Sequence, residues 1–247
     1  MIRIDARDTV TVLHLEHGKV NAFDTDFARA ITEAVRECGP ERALVVTGSG
    51  SVFSAGVDLL KIAEADDAGI AEFLEALDTC FLAVFEHPAP TVAAINGHAI
   101  AGGALLAAAC DRRIFAEGKT RIGVPELLVG VPFPPAALEI LRHALPRPEF
   151  EGAVLLGATV TAGRAADMGW AQEVAPAEKV LERAVTAAER LAALHAPAFG
   201  LTKAMLRAPA LERIRRARAT FSEEVVRVWQ HPDTRAAIES YMAALAR

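Results

Sequence analysis

Short apolar segments that predict β-strands alternate with helical patterns through the first half of this 247-residue sequence. Residues 10–15, VTVLHL, alternate with period two, and residues 24–38 then carry apolar side chains at helical spacing. Further strands are predicted at 43–47, 90–95 and 113–116, and further helices at 70–86 and from residue 104 onward. This alternation predicts an α/β fold in which helices pack on parallel strands.

The second half of the sequence is predicted to be a succession of helices. They occupy residues 135–144, 149–156, 161–169, 177–193, 197–207, 210–230 and 233–247. The last of these segments have little core of their own. We therefore divide the chain into a core, residues 1–194, and a helical C-terminal region, residues 195–247, which must pack on the core or on another subunit.

Composition excludes several classes of protein. The formal charge of -6 argues against a nucleic-acid-binding surface, which needs a concentrated positive stripe. No run reaches the roughly 18 to 20 apolar residues of a membrane helix, and the first residues do not resemble a secretion signal. Cys38, Cys80 and Cys110 lie far apart among apolar residues, which predicts buried thiols and no metal ligation. We expect a cytoplasmic protein without membrane or nucleic-acid partners.

Three glycine-containing turns, each after a predicted strand, can carry chemistry through their backbone. They are GSGSVFSAGVDLL at 48–60, NGHAIAGGALL at 96–106 and IGVPELLVGVPFPP at 122–135. Glycine lets a backbone approach a ligand closely, and the first N–H groups of a helix point outward with partial positive charge. Two such turns side by side would form an oxyanion hole, although the same glycines can serve tight packing alone. The phosphate-binding patterns GxxxxGK[ST] and GxGxxG do not occur in the required context.

Few side chains near these turns are suited to catalysis. Glu126 is a lone carboxylate among apolar residues; buried without a cation, it would have a raised pKa and act as a general base. Its alternative role is that of an acidic residue at the start of a helix. Ser54 and His98 lack the surroundings of a hydrolase triad. Asp58 and Asp111 are expected to cap helices or to pair with arginine, for which Arg112 and Arg113 are available.

Taken in order, these segments resemble the crotonase superfamily, the enoyl-CoA hydratases and isomerases. FSAGVDL at 53–59 and AAINGHAIAGGALLAAACDRRI at 93–114 match two of its signatures, and IGVPELLVGVPF at 122–133 resembles a third. VNAF at 20–23 and LLGATVTAGRAADMGWAQEV at 155–174 are further matches. The resemblance spans nearly the whole chain and is specific for the fold.

The resemblance implies a spiral of ββα turns with a helical C-terminal region that takes part in trimer formation, commonly as a dimer of trimers. It implies an acyl-CoA thioester as the ligand, with coenzyme A as part of the substrate and no separate cofactor. The thioester carbonyl would be held by two backbone N–H groups, which fall by motif position on Val57 and Gly102. Glu126 matches a catalytic glutamate of the family.

The same resemblance predicts which residues contact the substrate. The segments 19–23 and 54–56 would line the coenzyme A channel, mainly through their backbone. The predicted contacts are Val20, Ala22, Phe23, Ser54, Ala55, Gly56, Leu105 and Phe133. Lys203 and the basic cluster Arg213–Arg218 are candidates for the phosphates, although such a cluster more often forms a solvated helix face.

The sequence departs from the hydratases at one position. Hydratases of the family carry two glutamates that hold and activate water; the second matches Glu126, but Leu105 occupies the place of the first. Members that move a double bond from position 3 to position 2 resemble this arrangement, because one base suffices for a 1,3 proton shift. Residues 132–135, PFPP, also replace the glycine-rich turn of the hydratases. We expect an enoyl-CoA isomerase; a hydratase or other acyl-CoA lyase or hydrolase that uses Glu126, and a catalytically silent CoA-binding protein, are the alternatives.

Overall fold

A computed structural model describes residues 1–245. The strands are β1 Ile2–Ala6, β2 Val10–Leu15, β3 Ala43–Thr47, β4 Val52–Ser54, β5 Thr91–Ile95, β6 His98–Ile100, β7 Arg112–Ala116, β8 Arg121–Gly123, β9 Thr159–Thr161 and β10 Glu173–Ala175. The helices are α1 Thr25–Glu37, α2 Leu59–Glu64, α3 Asp67–Phe85, α4 Gly102–Ala109, α5 Glu126–Val129, α6 Pro135–Ala144, α7 Arg147–Leu156, α8 Ala162–Asp167, α9 Val180–Ala192, α10 Ala196–Gln230 and α11 Pro232–Leu245.

The strands form two sheets that are built by a repeated unit. The larger sheet has the order β1-β2-β3-β5-β7-β10, and the smaller has the order β4-β6-β8-β9. Along the chain, β3, β5 and β7 of the larger sheet are each followed by a strand of the smaller sheet and then by a helix. These successive ββα turns, joined by parallel pairing within each sheet, confirm the predicted α/β spiral. Only β1 with β2 and β8 with β9 pair in the antiparallel direction among the described strands.

The larger sheet is covered on both faces. On one face, Val12, Val45 and Val92 pack with Ala184 and Ala188 of α9. The opposite face joins the main core, which also contains side chains of α1, α3, α4 and α6. Burial on both faces explains why β3 and β5 are continuous apolar runs instead of alternating ones.

Several elements differ from the sequence prediction. The three-residue strands β4, β6, β8, β9 and β10 were missed, because segments this short contain too few residues to show a period. β1 was also missed. The predicted break between residues 207 and 210 is wrong, since α10 runs continuously through Pro209. A proline inside a helix costs about 3 kcal/mol, and burial of Ala210 and Ile214 offsets that cost here. The predicted end of the last helix, residues 246–247, lies outside the described residues.

The C-terminal region returns to the core through Trp229 near the end of α10. Its side chain is 2% exposed and lies against Phe73 of α3, with ring centroids 6.4 Å apart. The indole N–H donates a hydrogen bond to the carbonyl of Pro132 at 3.0 Å. This anchor brings α11 against α2 and α5. No helix among residues 1–245 has the length and apolar composition required to cross a membrane.

We expect Trp229→Ala to lower the free energy of unfolding by about 3–5 kcal/mol, since it deletes a large buried side chain. Trp229→Phe keeps most of that volume and loses the hydrogen bond to Pro132, so a cost of about 1–2 kcal/mol is expected. Urea unfolding followed by far-ultraviolet circular dichroism measures both variants. Equal and small effects of the two substitutions would contradict the anchoring role of the indole.

Candidate active site

A cavity of about 450 Å³ lies where the turns after the smaller sheet face the C-terminal helices. It brings together the three residues predicted to carry chemistry, Glu126, Val57 and Gly102. The rest of its wall is mostly apolar. The site therefore combines a buried carboxyl, two candidate backbone donors and a surface suited to a hydrocarbon chain.

Glu126 is the first residue of α5, directly after the turn that follows β8. Its side chain is 6% exposed, and Oε2 has no hydrogen-bond partner among the described residues. Burial raises the pKa of Glu126 to about 8, because the charged form loses its hydration. Glu126 therefore begins a helix and is also a buried acid without a counter-ion, while its role as a general base stays a prediction.

The backbone around Val57 leaves one N–H group without a backbone acceptor. Val57 bridges Phe23 in the parallel direction, and the two bonds of this bridge are Phe23 N–H to the Gly56 carbonyl at 2.7 Å and Asp58 N–H to the Phe23 carbonyl at 2.9 Å. The Val57 N–H takes no part in this bridge. Because Val57 lines the cavity, this N–H is a candidate donor to a ligand there.

Gly102 offers the second N–H group because it begins α4, where the first amides lack intrahelical acceptors. The preceding Ala101 has φ 49° and ψ −122°, a strained conformation for a residue with a Cβ. Its N–H donates to the Gly123 carbonyl at 2.8 Å, which ties the start of α4 to the turn before Glu126. A Cβ on Gly103 would lie 2.5 Å from the Ser54 carbonyl oxygen, so only glycine lets the two turns approach this closely.

The structure separates the predicted contact residues into two groups. Val20, Ala22, Ala55 and Leu105 line the cavity. Phe23, Ser54, Gly56 and Phe133 do not line it, and their contact with the substrate stays a prediction. All four of these residues are buried.

Each of these four residues has a structural role behind the wall. The Phe23 ring lies under Gly102, and the Gly56 carbonyl accepts a hydrogen bond from the Phe23 N–H. The Ser54 hydroxyl donates to the Asn21 carbonyl at 2.7 Å and accepts from the Gly56 N–H at 3.2 Å. Phe133 belongs to the hydrophobic core, and the neighbouring Pro134 lines the cavity instead.

The residues that close the cavity from the other side were not predicted from the sequence. They are Leu77 of α3, Trp229 of α10, and Tyr241 and Met242 of α11. Apolar residues of this kind on long helices look like ordinary core positions, and only the return of the C-terminal region places them here. Val129, Val131 and Pro125, around α5, add to the same wall.

The basic residues considered for the phosphates are engaged elsewhere. Lys203 Nζ donates to Asp111 at 2.7 Å and to the Ala89 carbonyl at 2.8 Å, and it does not line this cavity. Arg213 pairs with a glutamate of α6 at 2.7 Å. Arg218 pairs with Glu75 of α3 at 2.9 Å. These contacts do not place Lys203 at this cavity, where it would meet the phosphates of coenzyme A, and they favour the solvated-face interpretation of the basic cluster.

The two remaining acids behave largely as expected. Asp58 caps α2 by accepting from the Lys61 N–H at 3.2 Å, although it also lines the cavity. Asp111 pairs with an arginine as expected, but that arginine is Arg207, and Lys203 is a second partner. Arg112 and Arg113, which the sequence offered as partners, do not pair with it. Residues 1–245 contain no group of three or more His, Cys, Asp or Glu side chains placed to hold a metal ion.

Comparisons with known proteins agree with this geometry. A family model described as enoyl-CoA hydratase/isomerase matches residues 5–245. A Thermus thermophilus protein described as a putative enoyl-CoA hydratase is 33% identical over 213 residues, 83% of this chain and 83% of that protein. The crystal structure of human mitochondrial delta3-delta2-enoyl-CoA isomerase is 26% identical, with a TM-score of 0.93 over 99% of this chain and 98% of that one. The apo structure of a Mycobacterium tuberculosis enoyl-CoA isomerase is 33% identical, with a TM-score of 0.82 over 90% and 98% of the two chains.

Glu126→Gln is expected to stabilise the protein at high pH. The folded chain binds the Glu126 proton more tightly than the unfolded chain, since the pKa rises from 4.5 to about 8 on folding. Wild-type stability therefore contains a cost that grows from about pH 4.5 to about pH 8 and is constant above it. Glutamine removes this cost, which amounts to at most about 5 kcal/mol at 1.36 kcal/mol per pKa unit.

Melting temperatures at pH 5 and pH 8.5 measure the effect. The difference between Glu126→Gln and wild type should grow in favour of the variant as the pH rises. Glu64→Gln, at an exposed position of α2, is the matched control and should show no such growth. A difference for Glu126→Gln that is the same at both pH values would contradict the burial of an unpaired carboxyl.

Proposed function

The chain belongs to the enoyl-CoA hydratase/isomerase family, and on that premise we propose that it isomerises 3-enoyl-CoA to 2-enoyl-CoA. The observation that carries this proposal is the buried carboxyl of Glu126, whose Oε2 has no hydrogen-bond partner among the described residues, in a mostly apolar cavity. Leu105 lines the same cavity, at the position where the hydratases of the family carry their other glutamate. Coenzyme A enters as part of the substrate, and the reaction needs no separate cofactor.

The oxyanion hole of the proposed reaction is made by the N–H groups of Val57 and Gly102. Both residues line the cavity, and neither N–H is used by the backbone contacts that fix its turn. The thioester oxygen would accept from both donors, and its bonds strengthen as negative charge develops in the enolate. Loss of one such donor typically costs about 2.7–4 kcal/mol in the transition state. Two donors can therefore supply a large part of the barrier reduction.

Glu126 is the proposed acid and base. In its ionised form it removes a proton from C2 of the substrate, and the resulting neutral acid returns a proton to C4 as the double bond moves to position 2. Burial makes the carboxylate a stronger base than one in water, because its charge is poorly solvated. Substrate binding further excludes water, so the proton is kept for the return step.

A hydratase is the second candidate, since relatives are described by both activities. Hydration needs a water molecule to be held and activated, which two carboxylates do well. Among the described wall residues the only carboxylate besides Glu126 is Asp58, and its Oδ1 already accepts the Lys61 N–H. Leu105, 2% exposed, can neither orient nor deprotonate water. These features favour isomerisation, and an unpaired Glu126 has no evident purpose in a catalytically silent CoA-binding protein.

We further propose that the chain works as a homotrimer or a dimer of trimers. The first half of α10 exposes Leu201 and Met205, 65% and 68% respectively, and this helix belongs to the region that the family resemblance assigns to trimer formation. The free thiols of Cys38, Cys80 and Cys110 support a reducing compartment such as the cytoplasm.

Glu126→Gln should lower the isomerisation of 3-hexenoyl-CoA by about a hundredfold to ten-thousandfold, because it removes the only proposed base. In the wild type, kcat/KM should rise with pH and level off above about 8, since the free enzyme must hold Glu126 ionised. Ultraviolet absorbance of the conjugated enoyl thioester follows the reaction. Full activity of Glu126→Gln, with Glu64→Gln as the matched control, would refute the assignment.

Leu105→Glu tests why this chain favours isomerisation over hydration. A second carboxylate on the wall is expected to raise hydration of crotonyl-CoA at least about tenfold over wild type and to lower isomerisation, because a bound water gains a group that can orient it. Leu105→Gln, similar in size but without the acid, should gain no hydratase activity. Wild-type protein that hydrates crotonyl-CoA faster than it isomerises 3-hexenoyl-CoA would overturn the proposed function.

A further inference from the structure

A second cavity, of about 400 Å³, lies away from the candidate active site and shares none of its lining residues. It is bounded by the end of α4, the start of β7, the end of α6, and one face each of α9 and α10. We call it the cationic cavity, because Arg112, Arg113, Lys203 and Arg207 line it and Asp111 is the single carboxylate among its lining residues. No step of the proposed isomerisation uses these side chains.

One carboxylate does not satisfy this group of cations. Asp111 Oδ2 accepts from Lys203 at 2.7 Å, and Asp111 Oδ1 accepts from Arg207 Nη2 at 2.6 Å. Both Asp111 oxygens are therefore occupied. Arg113 instead donates to the carbonyls of Trp170 and Cys110, which carry no formal charge.

Two guanidinium N–H groups on the wall remain without an acceptor. Arg207 is 5% exposed, and its Nη1 is buried with no partner among the described residues. The Nε of Arg112 is likewise buried and unpartnered. Buried donors are nearly always satisfied in folded proteins, so these two residues of the cavity wall carry positive charge that the described residues do not fully compensate.

The electrostatics point in the same direction. Burial lowers the pKa of Lys203 to about 8 and that of Arg113 to about 10, and the neighbouring Arg207 lowers both further. Burial of these positive charges therefore costs free energy, and Asp111 compensates only part of it. An anion in the cavity would offset that cost.

We propose that the cationic cavity is a binding site for a small phosphate-like oxyanion, held by Arg112 and Arg207 and neutralised with the help of Lys203. Guanidinium groups suit this task because their rigid donors match the oxygens of phosphate. The cavity volume accommodates the ion together with water molecules. The site is independent of the proposed isomerisation and binds a separate molecule from the acyl-CoA.

Isothermal titration of the full-length protein with inorganic phosphate, at pH 7 and constant ionic strength, tests the site. We expect saturable binding of one phosphate per chain. Arg112→Gln should weaken it at least about tenfold, because one charged donor is lost, and Arg112→Lys should restore part of the affinity. Arg164→Gln, at an exposed position of α8, removes the same charge elsewhere and should leave the affinity unchanged.

Any of four results would overturn the proposal. One is the absence of saturable phosphate binding by the wild type. Another is displacement of phosphate by free coenzyme A, or an affinity that Arg112→Gln leaves intact, since either would place the ion in the acyl-CoA site or elsewhere. The last is a wild-type oligomer that binds no phosphate and that dissociates in sedimentation experiments when Arg112→Gln is introduced. This result would mean that a carboxylate of a second copy of the chain occupies the cavity.

Discussion

The site depends on the burial of one carboxyl group without a counter-ion. An ionised Glu126 loses its hydration in an apolar cavity and gains no cation in return. The burial that makes the carboxylate more basic therefore also lowers the free energy of unfolding when Glu126 is ionised. Such a group persists only where the surrounding fold fixes it. Here the turn after β8 and the short helix α5 hold it, and the Gly123 carbonyl joins that turn to the strained start of α4. The acid and one of the two proposed donors are therefore positioned by the same contact.

The donors are available for the same reason that the backbone is constrained. Asn21 has φ 51°, and its side-chain amide donates to the Phe53 carbonyl at 3.0 Å, which fixes the loop that carries Phe23. The backbone of Phe23 then forms hydrogen bonds with the two residues that flank Val57. Non-glycine residues at positive φ are uncommon, and Asn21 and Ala101 are the two such residues described. Asn21 lies in the loop that carries Phe23, and Ala101 directly precedes Gly102, so each strained residue lies next to one of the two candidate donor turns.

The candidate reactive groups could be predicted from the sequence better than the walls. Glu126, Val57 and Gly102 lie in continuous motifs whose turns the chain forms locally, and the structure brings all three to one cavity. Trp229 and Tyr241 follow these turns by a hundred residues or more, and their place on the wall depends on tertiary packing. Ser54 was predicted to contact the substrate by its position in the family motif; its hydroxyl faces Asn21, because successive residues of an extended segment point to opposite sides. The ion pair of Lys203 with a residue 92 positions away leaves no local signal in the sequence.

Burial is expected to keep Glu126 neutral at ordinary pH and so to make it a strong base when it ionises. Infrared difference spectra between wild type and Glu126→Gln, recorded across a pH series, measure its protonation, because the C=O stretch of a protonated carboxyl is distinct from the bands of a carboxylate. We expect a protonated-carboxyl band at pH 6 that disappears with a midpoint near pH 8. A wild-type spectrum with Glu126 already ionised at pH 6 would contradict this expectation.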